Sequence, residues 1–483
     1  MPYKHGVYGQ SVPSQYQLPP DDVGTLPVYI GTAPVHQLAD YAGAINVPIL
    51  VSSYDAAKAV VGYNEDFANF TLCEAIAAHF KNAIQSIGPI ILINVLDPDV
   101  DQTADKTANV AITNGKGTIN NNKVIIKTVT IADKVKGTDY EAYYNDIGDK
   151  VIIKELVAGS LGATAAATFD EVSLTGITKD EIIGAYTGET NERTGSYCVE
   201  LIYQEHNLIP SILLAPGWTH IPEVEQVLLS RCLDINGHWD TTVFVDIDTS
   251  TVKTIAAAKA WKATNAYDSK YEKVFWPAAK KGGLVYHLST LAAVTKQYID
   301  FNNDNIPYET PSNKKLDIIG LCLEDGTAVK FDETQANTLN EVGITTGIFS
   351  GGKYVLWGPH MGCYEFGVTE APEEVFDVNV WMDQYLNNDF QVRNMDNVDK
   401  PVDRRDIDYI LNVEQQRLNS LITEGKLLYG KIEFVARNNP DSDLIQGDFI
   451  FDSMVTYTPP GKSLTQRLQY TDKGVTTLVG GEA

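Results

Sequence analysis

The chain predicts an α/β and α+β multidomain protein: a central doubly wound α/β domain, a β-rich inserted domain, an α+β C-terminal domain and extended terminal arms. Strand-like apolar runs alternate with segments of helical period through residues 23–99 and again through 191–360, the pattern of a sheet flanked by helices. Between them, residues 100–190 carry short β-branched runs separated by Asn, Gly and Asp, which reads as an exposed β-rich module. At roughly 150 residues per domain, a chain of this length holds about three domains.

Residues 1–22 form an N-terminal arm, closed by Pro19 and Pro20, in which Val7 and Tyr8 are unusual choices for a solvated tail. "LPVYIG" (26–31) and "PILVSS" (48–53) are strands. Ser53 caps a helix running to Val61, with Gly62 past its end. Thr71 and Glu74 make a capping-box pattern for a helix with apolar positions at Leu72, Ile76, Phe80, Ala83, Ile84 and Ile87, stopped by Gly88. "PIILINVL" (89–96) is a strand buried on both faces. After the insertion, a helix near 196–206 precedes the strand at 209–217. Pro222 opens a helix reaching about Ile235. "TTVFVDID" (241–248) and "EKVFWP" (272–277) are strands on either side of a helix at 251–263.

Residues 361–461 form the C-terminal unit. From Asp403 to Glu424, Ile407, Ile410, Leu411, Leu418, Leu421 and Ile422 share one helical face, and Gly425 stops the helix. "LYGKIEFVAR" (428–437) and "GDFIFDSMVTY" (447–457) alternate as the two strands of a hairpin. Residues 462–483 are a C-terminal arm, with Leu464, Leu468 and Tyr470 on one face.

With 37 Lys and Arg against 63 Asp and Glu, the net charge is −26. Such a chain is not expected to bind nucleic acid or an anionic membrane. Five scattered cysteines without a CxxC imply no disulfide framework, and a reducing compartment is expected. The first ten residues do not read as a secretory signal, and the longest apolar stretch, 89–96, is too short to span a bilayer.

Searches for catalytic or metal-binding chemistry return nothing specific. Gly461-Lys462-Ser463 suggests a phosphate-binding loop, but its first glycine would fall at Thr456 and prolines precede it. Asp246 and Asp248 end a strand, where open α/β sheets often bind ligands, and they are the candidates for a competing hydrolase reading. No HExxH or GxSxG occurs, and His360 reads as a satisfied structural histidine. No catalytic residue, metal or cofactor is expected.

The segments taken in order resemble one family, the contractile tail sheath proteins of phages and related injection particles. "HGVYGQSVPSQ", "GTLPVYIGTAP" and "VSSYDAAKAVVG" are similar to the sheath N-terminal part. "NLIPSILLAPGW", "TTVFVDID", "NIPYETPSNK" and "YVLWGPH" resemble the central domain, whose sheet is called subtilisin-like. "RRDIDYI", "LLYGKIEFVARNN", "IQGDFIF" and "VTYTPPGKSL" resemble the C-terminal domain. The stretch before "NIPYETPSN" lacks the Pro-Pro-Ser-Gly segment expected of many members.

The resemblance implies a structural protein of a virion tail or phage-like particle, assembled in the bacterial cytoplasm as stacked hexameric rings around an inner tube. Its implied partners are further copies of itself, the inner tube protein, and baseplate and tail terminator proteins. Val7, Tyr8, Leu464, Leu468 and Tyr470 would serve strand exchange between subunits. The C-terminal domain would face the tube, with Arg404, Arg405 and Lys426 as its positive candidates in an acidic chain. The insertion would decorate the outside. The remaining alternative, another self-assembling array protein, should carry a secretion signal.

Overall fold

The computed structural model describes residues 24–369, 371–473 and 475. Its largest sheet starts with β1 (Pro27–Gly31), β2 (Pro48–Val51) and β3 (Ile90–Asn94). Ser53 Oγ accepts the Ala56 amide to start α1 (Tyr54–Val61), and Gly62 at φ 76° ends it, as expected. The second helix, α2 (Thr71–Phe80), departs from expectation at both ends. Thr71 does not cap it but exchanges hydrogen bonds with Thr32, while Glu74 is taken by His287, 213 residues away. Its end is set by Asn82, whose side chain accepts the Ile84 and Gln85 amides and turns the chain well before Gly88.

The β-rich segment folds into two three-stranded antiparallel sheets. β4 (Gln102–Ala111), β5 (Lys116–Ile119), β6 (Thr130–Ile131), β7 (Tyr140–Tyr144), β8 (Val151–Glu155) and β9 (Thr164–Val172) pair in the orders β4-β9-β6 and β5-β8-β7. They share a separate core of Val110, Val124, Tyr140, Val151, Ile153 and Phe169. Ile177 and Ile182, farther along the chain, belong instead to the main core. The stretch near 196–206, read as one helix, is a 3-10 segment at Gly195–Leu201 followed by a short α-turn at Ile202–His206.

The main sheet resumes with β10 (Ile212–Leu214), α3 (Pro222–Arg231), β11 (Thr242–Asp246), α4 (Ile255–Asn265), β12 (Glu272–Phe275) and α5 (Leu288–Asn302). It finishes with β13 (Ile344–Ser350) and β14 (Lys353–Trp357), in the order β2-β3-β1-β10-β11-β12-β13-β14. The inner six strands are parallel, and the two edges, β2 and β14, are antiparallel to their neighbours. β1 lies where the order reverses: β3 and the edge strand β2 lie to one side of it, and from β10 onward the chain builds outward on the other. β1, β3 and β11 read as nearly unbroken apolar runs because both faces are covered.

The C-terminal unit comprises α6 (Asp377–Asn394), α7 (Arg404–Thr423) and a hairpin of β15 (Leu427–Glu433) and β16 (Asp452–Tyr457). Asp403 caps α7 through the amides of Arg405 and Asp406, and the helix closes at Gly425, φ 76°. β16 is shorter than the expected 447–457. The "NNPDSD" stretch folds partly into a helical turn at Asp441–Gln446, and Asn439 ties the Ile450 amide and carbonyl.

Candidate assembly interface

The hairpin is held from below by α7. Gly430 admits the helix closely: an added Cβ would sit 3.1 Å from the Leu418 Cβ. Ile432, Val455 and Tyr457 join Met382, Tyr385, Leu418 and Leu421 in a small core. The other face leaves Leu428, Tyr429 and Met454 about half exposed. With only two strands, the sheet has two outer edges, and an exposed edge is a template for another strand. Along β15, Gln415 of α7 donates to the Gly430 carbonyl at 3.0 Å and accepts the Ile432 amide at 3.2 Å. Sequence reasoning missed this residue, because a mid-helix glutamine carries no local signal.

The arm leaves the hairpin at Pro459 and Pro460. Residues 461–471 form no helix or strand, and 461–473 are exposed. Leu464, Leu468 and Tyr470 are 93%, 89% and 87% exposed. In an extended chain the three point to one side, with Thr465, Arg467, Gln469 and Thr471 on the other. Among the described residues nothing covers them, which makes the three a candidate contact face. Val7 and Tyr8 lie outside the described residues.

The three positive candidates are placed differently. Arg404 is bonded to Asp408 at 2.8 Å and Arg405 to Asp403 at 2.5 Å, both on the exposed start of α7. Lys426 does not fit the expectation of a surface charge. It is 5% exposed, and its ammonium is consumed by Glu424 at 2.8 Å and Asp304 at 3.1 Å. It follows a helix end that tucks under the hairpin, so it ties the C-terminal unit to the segment after α5.

No protein-family model matches the chain. Along almost its whole length it is similar to the tail sheath protein of Burkholderia phage BcepMu. The two are 26% identical over 474 residues, which is 94% of this chain and 93% of that protein. A shorter match, 24% identical over 156 residues, is to the major tail sheath protein of Serratia phage KSP20; it covers 32% of this chain and 38% of that one. The fold agrees with the sheath complex of an extracellular contractile injection system, PVC, in its contracted state. That likeness has a TM-score of 0.57 at 12% identity, covering 98% of this chain and 99% of that one. A chain of the anti-feeding prophage baseplate has a TM-score of 0.55 at 11% identity, covering 97% and 99%.

The named relatives are sheath proteins. The competing carboxylates lie at a cleft of about 230 Å³ at the carboxyl ends of β10, β11 and β12, where such sheets commonly bind ligands. Asp246 is closed off there, accepting both the Ser289 amide at 3.1 Å and the Ser289 hydroxyl, and burial raises its pKa. Asp248 is used up in its own turn by Ser250 and Thr251. Among the described residues no cluster of three or more His, Cys, Asp or Glu side chains is arranged to hold a metal. His360 is buried and stacked on Tyr364, with ring centroids 3.6 Å apart, but its ring nitrogens find no hydrogen-bond partner among the described residues. Burial, together with Lys273 and Lys462, pushes its pKa down to about 3, so it stays neutral.

Proposed function

We propose that the chain is the subunit of a contractile tail sheath, polymerising as stacked hexameric rings around an inner tail tube and shortening to drive that tube through a target envelope. The full-length similarity to a phage tail sheath protein carries this reading. The exposed arm and the open hairpin supply its physics. A strand donated by a second copy gains main-chain hydrogen bonds for affinity and alternating side chains for register. Head-to-tail donation that does not close on itself grows a helical lattice. Several tethered arm contacts per subunit hold neighbours together while the bodies between them turn. Such a device stores its energy in assembly and needs no nucleotide.

In this reading residues 1–22 and 462–483 are the exchanged arms, and Leu464, Leu468 and Tyr470 the donated apolar face. The 191–360 region is a subtilisin-like scaffold without its chemistry. The insertion at 100–190 faces outward, and the C-terminal unit at 361–461 faces the tube. The tube protein, baseplate and tail terminator proteins are its partners in a virion tail or phage-like particle assembled in the bacterial cytoplasm.

Negative-stain microscopy of the purified chain is the direct test. Long hollow tubes are expected; a chain that stays monodisperse at high concentration would overturn the reading. Deleting 463–483 should leave the thermal midpoint nearly unchanged, since residues 463–473 are exposed, yet abolish long tubes. Reversing both arginines, Arg404→Glu with Arg405→Glu, should leave the thermal midpoint of the monomer nearly unchanged, because exposed ion pairs contribute little. The same variant should assemble poorly around tubes. Normal assembly at all salt concentrations would remove these residues from the tube-facing set.

A further inference from the structure

The two edges of the hairpin are not equivalent. Gly430 and Ile432 lie two apart on β15, so their amides and carbonyls point the same way. Gln415 bonds the Gly430 carbonyl and the Ile432 amide, so both face away from β16. The ladder partners of these residues are Val455 and Ser453. The backbone groups of Ser453 and Val455 therefore point out along the opposite edge, where no side chain or loop bonds them among the described residues. One edge is bare and the other is filled by a single carboxamide that donates and accepts as a strand residue would.

We infer that Gln415 is a placeholder for a strand: it occupies the β15 edge in the free subunit and gives way to an arm of a second copy during assembly. This rests on the strand-addition reading above. Three features make Gln415 replaceable rather than a permanent cover. It is only half-buried, it reaches the edge on a flexible side chain, and its Nε2 has an alternative acceptor in Asn419 Oδ1 at 3.0 Å. An incoming strand restores both bonds one for one and continues the ladder past them. The free subunit is left with no exposed polar backbone at that position, which restrains premature pairing. The occupant is the arm of another copy. Residues 462–473 are exposed and form no helix or strand, and the period-two apolar face of Leu464, Leu468 and Tyr470 matches the exposed Leu428 and Tyr429 on β15.

The test is the lag before tube formation by the full-length chain, followed by light scattering. Gln415→Met keeps length and helix propensity but cannot bond the edge. It should shorten the lag about fivefold, the weight of one net hydrogen bond. Hydrogen exchange at the Ile432 amide of the monomer should quicken in step. Gln415→Glu, which still accepts from Ile432 but cannot donate to Gly430, should fall between wild type and Met; it carries the test should the Met variant fail to fold. A folded Gln415→Met chain with an unchanged or longer lag overturns the proposal. A chain ending at residue 462 separates the two levels. If it forms tubes like the full chain, strand addition itself falls. If it is dead in assembly while Gln415→Met behaves as wild type, only the placeholder falls.

Discussion

His287 carries the clearest pH signal among the side chains at the cleft. Its Nδ1 lies 2.7 Å from Glu74 Oε2, and its own amide donates to Glu74 Oε1, also at 2.7 Å. Asp246, Asp248, Glu324 and His220 line the same cleft. Burial opposes a charge on the ring, but the Glu74 carboxylate, with Asp246 and Glu324, outweighs it and lifts the pKa to about 9. A raised folded-state pKa stabilises the fold fully below the ordinary histidine value of about 6.5, and that stability is lost as pH rises through about 9. The side chain keeps 34% of its surface accessible, so solvent screening reduces the effect to about 1–2 kcal/mol. The urea midpoint should therefore fall between pH 6.5 and 9.5. In Glu74→Gln, which keeps one oxygen for the His287 amide but no charge to hold a proton on the ring, that slope should flatten; an unaltered slope would dismiss the pair as its source.

At the scale of elements, local punctuation was legible and long-range competition was not. Ser53, Gly62, Asp403 and Gly425 each act on backbone groups within a turn of themselves, so their roles follow from residue type and spacing. Thr71 and Glu74 had the right spacing for a cap, but Thr32 and His287 claimed them through contacts no local window contains. The same holds at the interface. The alternation of Leu464, Leu468 and Tyr470 was visible in the chain, whereas the burial of Lys426 and the reach of Gln415 required the fold. The inserted sheets illustrate an element that is locally complete. The chain enters at Asp101 and leaves at Ser173, and the Ser173 amide donates to the Asp101 carbonyl at 2.8 Å. The module has its own core and meets the main body through Ile125 and Val172, which pack in the main core, and through polar ties such as His36 to the Asn122 carbonyl and Asn64 to the Gly148 carbonyl. Excising 102–172 and joining 101 to 173 through a short flexible linker should leave a cooperatively folding protein that still forms tubes, thinner in outer diameter. Loss of the fold would mean that the main body depends on the module. Tubes of unchanged outer diameter would mean that the module does not face outward.

Over the whole molecule, α6 decides which parts can move. It belongs to two cores at once. Trp381 packs in the main core and donates to Thr242 Oγ1, Gln384 donates to the Thr241 carbonyl, and Asn388 donates to the Asp240 carbonyl. Met382 and Tyr385, on another face of the helix, pack with Leu418 and Leu421 under the hairpin. At its first turn, fully buried Lys273 reaches from β12 to Asp377 at 2.9 Å and to the carbonyls of Gly358 and His360, both at 3.0 Å. Lys296, itself paired with Asp300, lies over the Trp381 ring at 4.4 Å. A hinge here would have to expose apolar surface on both sides and separate buried charges. Lys273→Met should accordingly cost about 3–5 kcal/mol in denaturant titrations, because Asp377 would stay buried without its partner. The arm has no such anchoring: residues 461–471 lack helix and strand, and 461–473 are exposed. Shape change in an assembled lattice should therefore pass through the arms, with the main sheet and the C-terminal unit turning as one body. Cryo-microscopy of extended and contracted sheaths checks this. The main sheet, α6, α7 and the hairpin should superimpose between the two states as a single unit, with the differences gathered after Pro460. A changed angle between the main sheet and α7 would show that the α6 joint bends, and would return the contraction to the interior of the subunit.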